Sequence, residues 1–334
     1  MPGEQLGRCR LVGKQVLGEP VVFGRAADGA PFALRDICPH RGMPLRYGAF
    51  NGRDIACCYH GWTFDLGGGC IDIPSAANGH ALDLSRIKVR SYPCREVQGN
   101  VWIFMTSRQG GDSAPLPEVP RLPDIGDVRP QVAISMRFPC GADHAAFGLA
   151  DPAHGAFVHT SRWWKKGRGE LRVKEKAFEP SPLGFRMLRH RLPEENRVYK
   201  LLGDNVTSEI TFSLPGLRVE HIKGERHTAV NLTAVTPVNE EETDVHQCLY
   251  WTIPWLGPFK PIARTLSRIF LGQDRDTAVR LNDGLVYKPP LMFVGDPDAQ
   301  IKWYLRLKRE WLRAQAEGRE FRNPLKPTTL RWRS

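Results

Sequence analysis

The sequence predicts an α+β protein in two parts: an N-terminal antiparallel β domain, then a C-terminal helix-grip domain, a curved antiparallel sheet around a long helix. Three observations predict it. Short apolar or alternating runs fill residues 10–106, with turn residues between them and no helical period. Residues 107–130, SRQGGDSAPLPEVPRLPDIGDVRP, are too rich in Pro and Gly to propagate helix or central strand. Beyond them, strand-like runs give way to two segments with helical spacing. The expected division is residues 1–110, a linker over 111–130, and residues 131–334.

In order, VVFGR (21–25), FALRD (32–36), DIACC (54–58) and NVWIFM (100–105) read as strands, and AADGA (26–30) as a hairpin turn. Residues 141–160 are Ala-rich and helical. They are interrupted at Asp151-Pro152, because the residue before proline is pushed out of the α region. LRVKEKAFE, GFRMLRHRL, SEITFSL, LRVEHIK, TAVNLTAV and DVHQCLYWTI follow as the strands of one sheet. Residues 262–287 and 298–317 are the helices, the second carrying Ile301, Tyr304, Leu305, Lys308 and Leu312 at helical spacing. The final LKPTTLRWRS reads as a basic, solvated tail.

Composition narrows the function. Hydrophobic residues at 41% and charged residues at 25% are ordinary for a globular chain, and no apolar run is long enough for a membrane span. Lys+Arg 47 against Asp+Glu 36 leaves +11, which suits an acidic protein partner, nucleic acid or anionic lipid. The basic residues are scattered and no nucleic-acid motif appears, so no nucleic-acid partner is expected. MPGEQLGRCR lacks the apolar core of a secretory signal, so a cytoplasmic location with reduced cysteines is expected. The isolated Cys9, Cys140 and Cys248 read as small buried hydrophobes.

Cys38-Pro39-His40 and Cys57-Cys58-Tyr59-His60 form C-x-H…C-x-x-H, each half running into a glycine turn. Two thiolates and two imidazoles could hold zinc. They could equally hold a [2Fe–2S] cluster, with two Cys on one iron and two His on the other. A zinc finger of this ligand set would place its His pair on a helix. Here each Cys pairs with a His across a tight loop between strands, which suits two loops clamping one cluster.

ICPHRGMPLRYGAFNG…IACCYHGWTFDLGGGCIDIP resembles the Rieske iron–sulfur domain, in the form used by Rieske non-haem iron oxygenases. The resemblance implies that Cys38, His40, Cys57 and His60 hold the cluster. The quinol-oxidising Rieske type has an extra Cys in each loop; His40-Arg41-Gly42-Met43 has none. Cys58 stands where the family usually has Pro and reads as a bystander, while Cys70 and Cys94 read as packing residues.

Asp151-Pro-Ala-His154-Gly-Ala-Phe-Val-His159 is D-x-x-H-x-x-x-x-H. Two His and a carboxylate make the facial triad of mononuclear Fe(II), which leaves coordination positions open. Residues five apart do not share a face of a straight helix, so the helix must break between the two histidines. By the resemblance, His154 and His159 are iron ligands. Asp151 is the catalytic link, bonding a histidine and joining the iron site to a Rieske cluster; it also reads as a helix N-cap before Pro152. The third ligand is expected to be a distant carboxylate in Leu271-Gly-Gln-Asp274-Arg-Asp276. The family context points to Asp274, with Asp276 next and Asp283 third. Asp143-His144 reads as packing or surface. Many relatives carry Glu-Asn a few residues before the motif, where this chain has Phe147-Gly148.

No G-x-G-x-x-G opens a helix after a strand, so a ferredoxin, an NAD(P)H-dependent reductase or both are implied as electron donors. The resemblance implies a terminal oxygenase alpha subunit of the single-chain monooxygenase and demethylase kind. It would use O₂ to hydroxylate or demethylate an apolar, aromatic or polycyclic, lipid-like small molecule. It also implies a homotrimer, each chain's cluster serving its neighbour's iron. LYWTIPWLGPFKPIARTLSRIFL (249–271) reads either as core wall plus an amphipathic helix or as a channel lip, with Lys260, Arg264 and Arg268 facing anionic lipid in a weak membrane association. The competing reading is a Rieske electron carrier fused to a hydrophobic-ligand-binding domain.

Overall fold

A computed structural model of the chain describes residues 1–76, 83–106, 116–159, 171–192 and 199–334. The expected linker therefore lies partly outside the described residues. The chain forms two compact units: Met1–Arg121 with Asp127–Arg129, and Leu122–Gly126 with Pro130–Ser334.

The first unit is all β. Its strands are β1 (Val12–Val16), β2 (Glu19–Arg25), β3 (Pro31–Arg35), β4 (Ala49–Phe50), β5 (Asp54–Ala56), β6 (Thr63–Asp65), β7 (Cys70–Asp72), β8 (Ser91–Tyr92), β9 (Cys94–Val97) and β10 (Asn100–Ile103). They form sheets in the orders β1-β2-β3-β8, β4-β5-β6-β7 and β10-β9. Asp28-Gly29 turns β2 into β3, Gly29 taking the positive φ (+92°) that a side chain resists. Leu34, Leu45, Ile55 and Phe64 are fully buried in one core together with Cys38 and Cys57. The two cluster loops thus rise from a single apolar floor.

The second unit is a sheet of eight antiparallel strands. These are β11 (Val132–Phe138), β12 (Val173–Ser181), β13 (Gly184–Arg191), β14 (Thr207–Ser213), β15 (Leu217–Lys223), β16 (Thr228–Pro237), β17 (Thr243–Trp251) and β18 (Thr328–Arg333), in the order β11-β17-β16-β15-β14-β13-β12-β18. Among the described residues four α-helices accompany it: α1 (Ala142–Ala150), α2 (Gly155–Val158), α3 (Lys260–Leu285) and α4 (Ala299–Ala316). One face of the sheet packs on the helices. Val132, Ile134, Val235 and Val245 meet Ala145 of α1 and Leu271 and Ala278 of α3. Phe178, Phe185, Met187 and Phe212 meet Ala146 and Ala150 of α1 and Tyr304 and Leu307 of α4.

Two expectations need correction. The C-terminal segment is not a solvated tail: β18 pairs with β12 along Thr328–Arg333, and Leu330 and Trp332 enter the same core as α4. Alternation explains it, because TTLRWR places its two large apolar residues on one face while Arg331 and Arg333 point away. Cys9 is exposed, not buried, and sits at a positive φ of 54° in a turn; Cys140 and Cys248 are buried as expected.

Candidate metal centres

The two loops of the first unit are built alike. Cys38 N–H donates to the Met43 carbonyl (2.8 Å), and Gly42 N–H to the Cys38 carbonyl (2.9 Å). Cys57 N–H donates to the Trp62 carbonyl (2.9 Å), and Gly61 N–H to the Cys57 carbonyl (2.9 Å). Each loop closes through a glycine at positive φ, +75° at Gly42 and +73° at Gly61, where a Cβ would be strained. Cys-x-x-x-Gly is therefore the shared frame, and the histidine occupies a different position within each loop.

The four side chains sort into two pairs. Cys38 and Cys57 are buried and hydrogen-bonded to each other; burial, together with Cys57, pushes the Cys38 thiol up to about 11. His40 and His60 lie half-buried above them, ring centroids 4.6 Å apart. Partial desolvation, then the charges of His60 and Arg41, lower His40 from its ordinary value. Two thiols on one side and two imidazoles on the other are the donor set of a cluster with Cys on one iron and His on the other. A bound metal would displace the proton that burial retains on Cys38. Trp62 stacks on His40 at 4.5 Å with 4° between planes, and its buried Nε1 has no partner among the described residues. The sequence reading saw Trp62 only as the end of a turn. Cys58 is exposed, Cys70 is buried in the core that Cys38 and Cys57 share, and Cys94 is half-buried against a different cluster.

In the second unit α1 ends at Ala150, before Asp151-Pro152, and α2 is a single turn. The break puts both histidines on one site despite their spacing. His154 precedes α2, His159 follows it, and the ring centroids are 5.2 Å apart. Asp274 Oδ1 lies 3.6 Å from His154 Nε2 and 3.5 Å from His159 Nε2. All three ligand atoms fall within 4.8 Å of one another. Asp274 can reach inward because it shares a stripe of α3 with the buried Ser267, Leu271 and Ala278. Asp276 lies off that stripe, 66% exposed beside Arg275, and Asp283 is exposed.

The far ring nitrogens are held too. His154 Nδ1 meets the Asp151 carbonyl at 2.9 Å, with the Asp151 carboxylate 3.6 Å away. His159 Nδ1 meets Gln273 Oε1 at 3.2 Å, and its ring stacks on Phe270 at 3.8 Å. Such partners fix the tautomer and leave Nε2 free for a metal. Gln273 and Phe270 went unassigned in the sequence; the signal lay in their placement next to and one turn before Asp274. Asp151 Oδ1 also accepts the Ala153 N–H (2.7 Å), but Asp151 is the C-terminal cap of α1 and His154 stands at the N-terminus of α2, so the expected N-cap role is not met.

Electrostatics separates the three groups. Burial pushes Asp274 up to about 6, against the opposing pull of His154 and Arg218. Burial lowers His154, but the Asp151 and Asp274 carboxylates outweigh it and hold it above its ordinary value. Burial and the charge of His154 push His159 down to about 4. Asp143, set aside as packing, accepts from Tyr304 Oη (2.6 Å) and Lys308 Nζ (2.5 Å) of α4.

Comparison with known proteins agrees with this geometry. Residues 2–93 match the model of the Rieske [2Fe-2S] domain. The chain is 34% identical over 147 residues to chlorophyllide a oxygenase of Arabidopsis thaliana, covering 44% of this chain and 25% of that protein. It is 37% identical over 105 residues to 4beta-methylsterol monooxygenase of Methylococcus capsulatus, covering 31% and 28%. Its fold is similar to a Pseudomonas putida CBB5 NdmA mutant solved with theobromine: TM-score 0.74, 20% identity, 95% of this chain and 90% of that one. Residues 2–93 therefore form a Rieske [2Fe-2S] domain, and the chain as a whole shares the fold of that solved structure. It spans about a quarter of the length of the curated relatives it matches first, 25% and 28%. Phe147, beside the site on α1, packs edge-on to His144 and Tyr304.

Proposed function

We propose that the chain is the terminal oxygenase component of an electron-fed system, oxidising a small molecule with O₂ by hydroxylation or demethylation. The observation that carries it is the pair of donor sets in one chain. Cys38, His40, Cys57 and His60 would hold the [2Fe–2S] cluster, and His154, His159 and Asp274 a mononuclear Fe(II). When bound, the cluster supplies single electrons and the iron directs them onto O₂ and substrate. The chain's own residues keep the sites competent. Asp151 and Gln273 fix the two histidine rings, Phe270 shields His159, and Trp62 covers His40. An electron carrier alone would have no use for two buried histidines and a helix-borne carboxylate converging on one point.

In this reading residues 1–110 are the electron-accepting domain, 111–130 the linker and 131–334 the oxygenase domain. Electrons come from NAD(P)H through a reductase, a ferredoxin or both, the net charge of +11 favouring an acidic donor. Tunnelling falls off steeply with distance. The assembly that fits is a homotrimer closed head to tail, with Asp151 bridging His154 to a Rieske histidine of the next chain. The substrate is an organic small molecule; relatives are named for chlorophyllide a and a 4beta-methylsterol. Trp255, Phe259 and Ile262 are exposed next to Lys260, which supports weak contact with a membrane surface. No described helix is long and apolar enough to cross one.

Iron analysis with oxygen uptake tests the proposal. Three irons per chain and substrate-dependent uptake with a surrogate reductase are expected. Two irons per chain and no uptake would make the protein an electron carrier.

A further inference from the structure

The sheet face beneath α3 is not uniformly apolar. Register places Gln247 of β17 opposite Thr233 of β16, and Thr233 opposite Arg218 of β15. One step along, Asn231 of β16 stands opposite Glu220 of β15. All five share the face that carries Val245 and Val235, because each lies an even number of residues from them or from their cross-strand partners. That is the face on which the Leu271–Ala278 stripe of α3 packs, and Asp274 belongs to the stripe. The polar patch and the triad therefore share one interior.

Two atoms of the patch lack a partner. Gln247 is 6% exposed, and neither its Oε1 nor Asn231 Oδ1, both buried, receives a hydrogen bond among the described residues. A buried acceptor left without a donor is costly, and native proteins seldom keep one without a use. The charges beside them are already matched: Arg218 Nη1 donates to Glu220 Oε2 at 3.2 Å, both side chains largely buried. The patch asks for hydrogen-bond donors and offers no unbalanced charge.

We propose that Asn231 and Gln247 are substrate-positioning residues that select an uncharged small molecule carrying hydroxyl or N–H donors. This rests on the oxygenase reading above and corrects its apolar expectation: the substrate presents a polar edge to the sheet while its remaining carbon skeleton faces Val235, Val245 and α3. A free carboxylate is disfavoured, because Glu220 already holds Arg218 and would repel it.

Fragment binding to the holoprotein tests this. The probes are matched sets: an aryl alcohol, its methyl ether, and the corresponding aryl carboxylate, each followed by ligand-observed NMR. Asn231→Leu and Gln247→Met are near-isosteric variants, examined with the wild type. The alcohol is expected to bind on the order of tenfold more tightly than the ether, and to lose that advantage in either variant. Melting temperature provides a second readout. An acceptor with no partner in the free protein can be replaced without loss, so Asn231→Leu should melt at or above the wild-type temperature. Equal binding of ether or carboxylate, affinities indifferent to both substitutions, absence of any fragment binding, or a fall in melting temperature would overturn the proposal. Iron content and the cluster's visible spectrum are recorded on the same samples. Their absence from the wild type would instead overturn the oxygenase reading.

Discussion

Asp151 holds His154 in two ways at once, its carbonyl 2.9 Å and its carboxylate 3.6 Å from the same ring nitrogen. The carbonyl alone can orient the ring, so the carboxylate is left for electrostatics and for contact beyond the site. Asp151→Asn should keep the cluster spectrum and the lone iron, because neither ligand set changes. Turnover should fall about 10–100-fold, the usual cost of losing a partner of a metal-bound histidine. Loss of iron in this variant would make Asp151 a structural residue.

The two carboxylates of Gln273-Asp274-Arg275-Asp276 make the sharpest comparison. Asp274 faces the histidines and Asp276 faces solvent. Asp274→Ala, His154→Ala and His159→Ala should each remove the mononuclear iron and all product formation, with the visible spectrum intact. Asp276→Ala should alter neither, and its stability should stay within about 0.5 kcal/mol of wild type. Iron retained by Asp274→Ala but lost by Asp276→Ala would reverse the assignment.

Much of this was legible in the chain. The cluster loops depend on local spacing, Cys to Gly, and local spacing is what a sequence displays. The break at Asp151-Pro152 follows from proline stereochemistry alone, and α3 and α4 from helical periodicity. Gln273 on His159, and the Asn231 Oδ1 and Gln247 Oε1 that no donor among the described residues reaches, were not legible, because they depend on which residues meet across strands and helices far apart in the chain. The polar character of that interior was hidden for the same reason: strand alternation reveals a shared face only once register is known.

Asp143 ties α1 to α4 and carries a pH dependence. Burial raises it, but Lys308 and Tyr304 outweigh burial and hold it below the ordinary aspartate value of 3.8. A carboxylate with a lowered folded value contributes stability that is present above 3.8 and is lost as pH falls through the folded value. Both side chains of the ion pair are partly exposed, so solvent screens it, and Asp143→Asn should cost about 1 kcal/mol at neutral pH. In urea titrations the gap to wild type should begin to narrow as pH falls below 3.8 and should close as it passes the lower folded value. A gap that does not narrow at all on acidification would assign the loss to packing.

The last strand offers a test that separates core from tail. Trp332 is 5% exposed and sits with Leu330, Tyr304 and Leu307, whereas the Arg331 side chain beside it is 67% exposed and pairs with the similarly accessible Glu175. A solvated tail would make the two substitutions alike. A core strand makes them differ, because Trp332→Ala leaves a cavity beneath α4 while Arg331→Ala gives up one screened surface pair. Trp332→Ala should cost about 3–5 kcal/mol and Arg331→Ala less than about 1 kcal/mol. β12 would also lose its pairing with β18 if Thr328–Ser334 were deleted, leaving Val173–Phe178 as an open edge. The deletion should therefore aggregate on heating where Arg331→Ala does not. Light scattering during a thermal ramp, run beside urea denaturation of the two point variants, decides it. Equal small losses in both, with a soluble deletion, would return the segment to a tail.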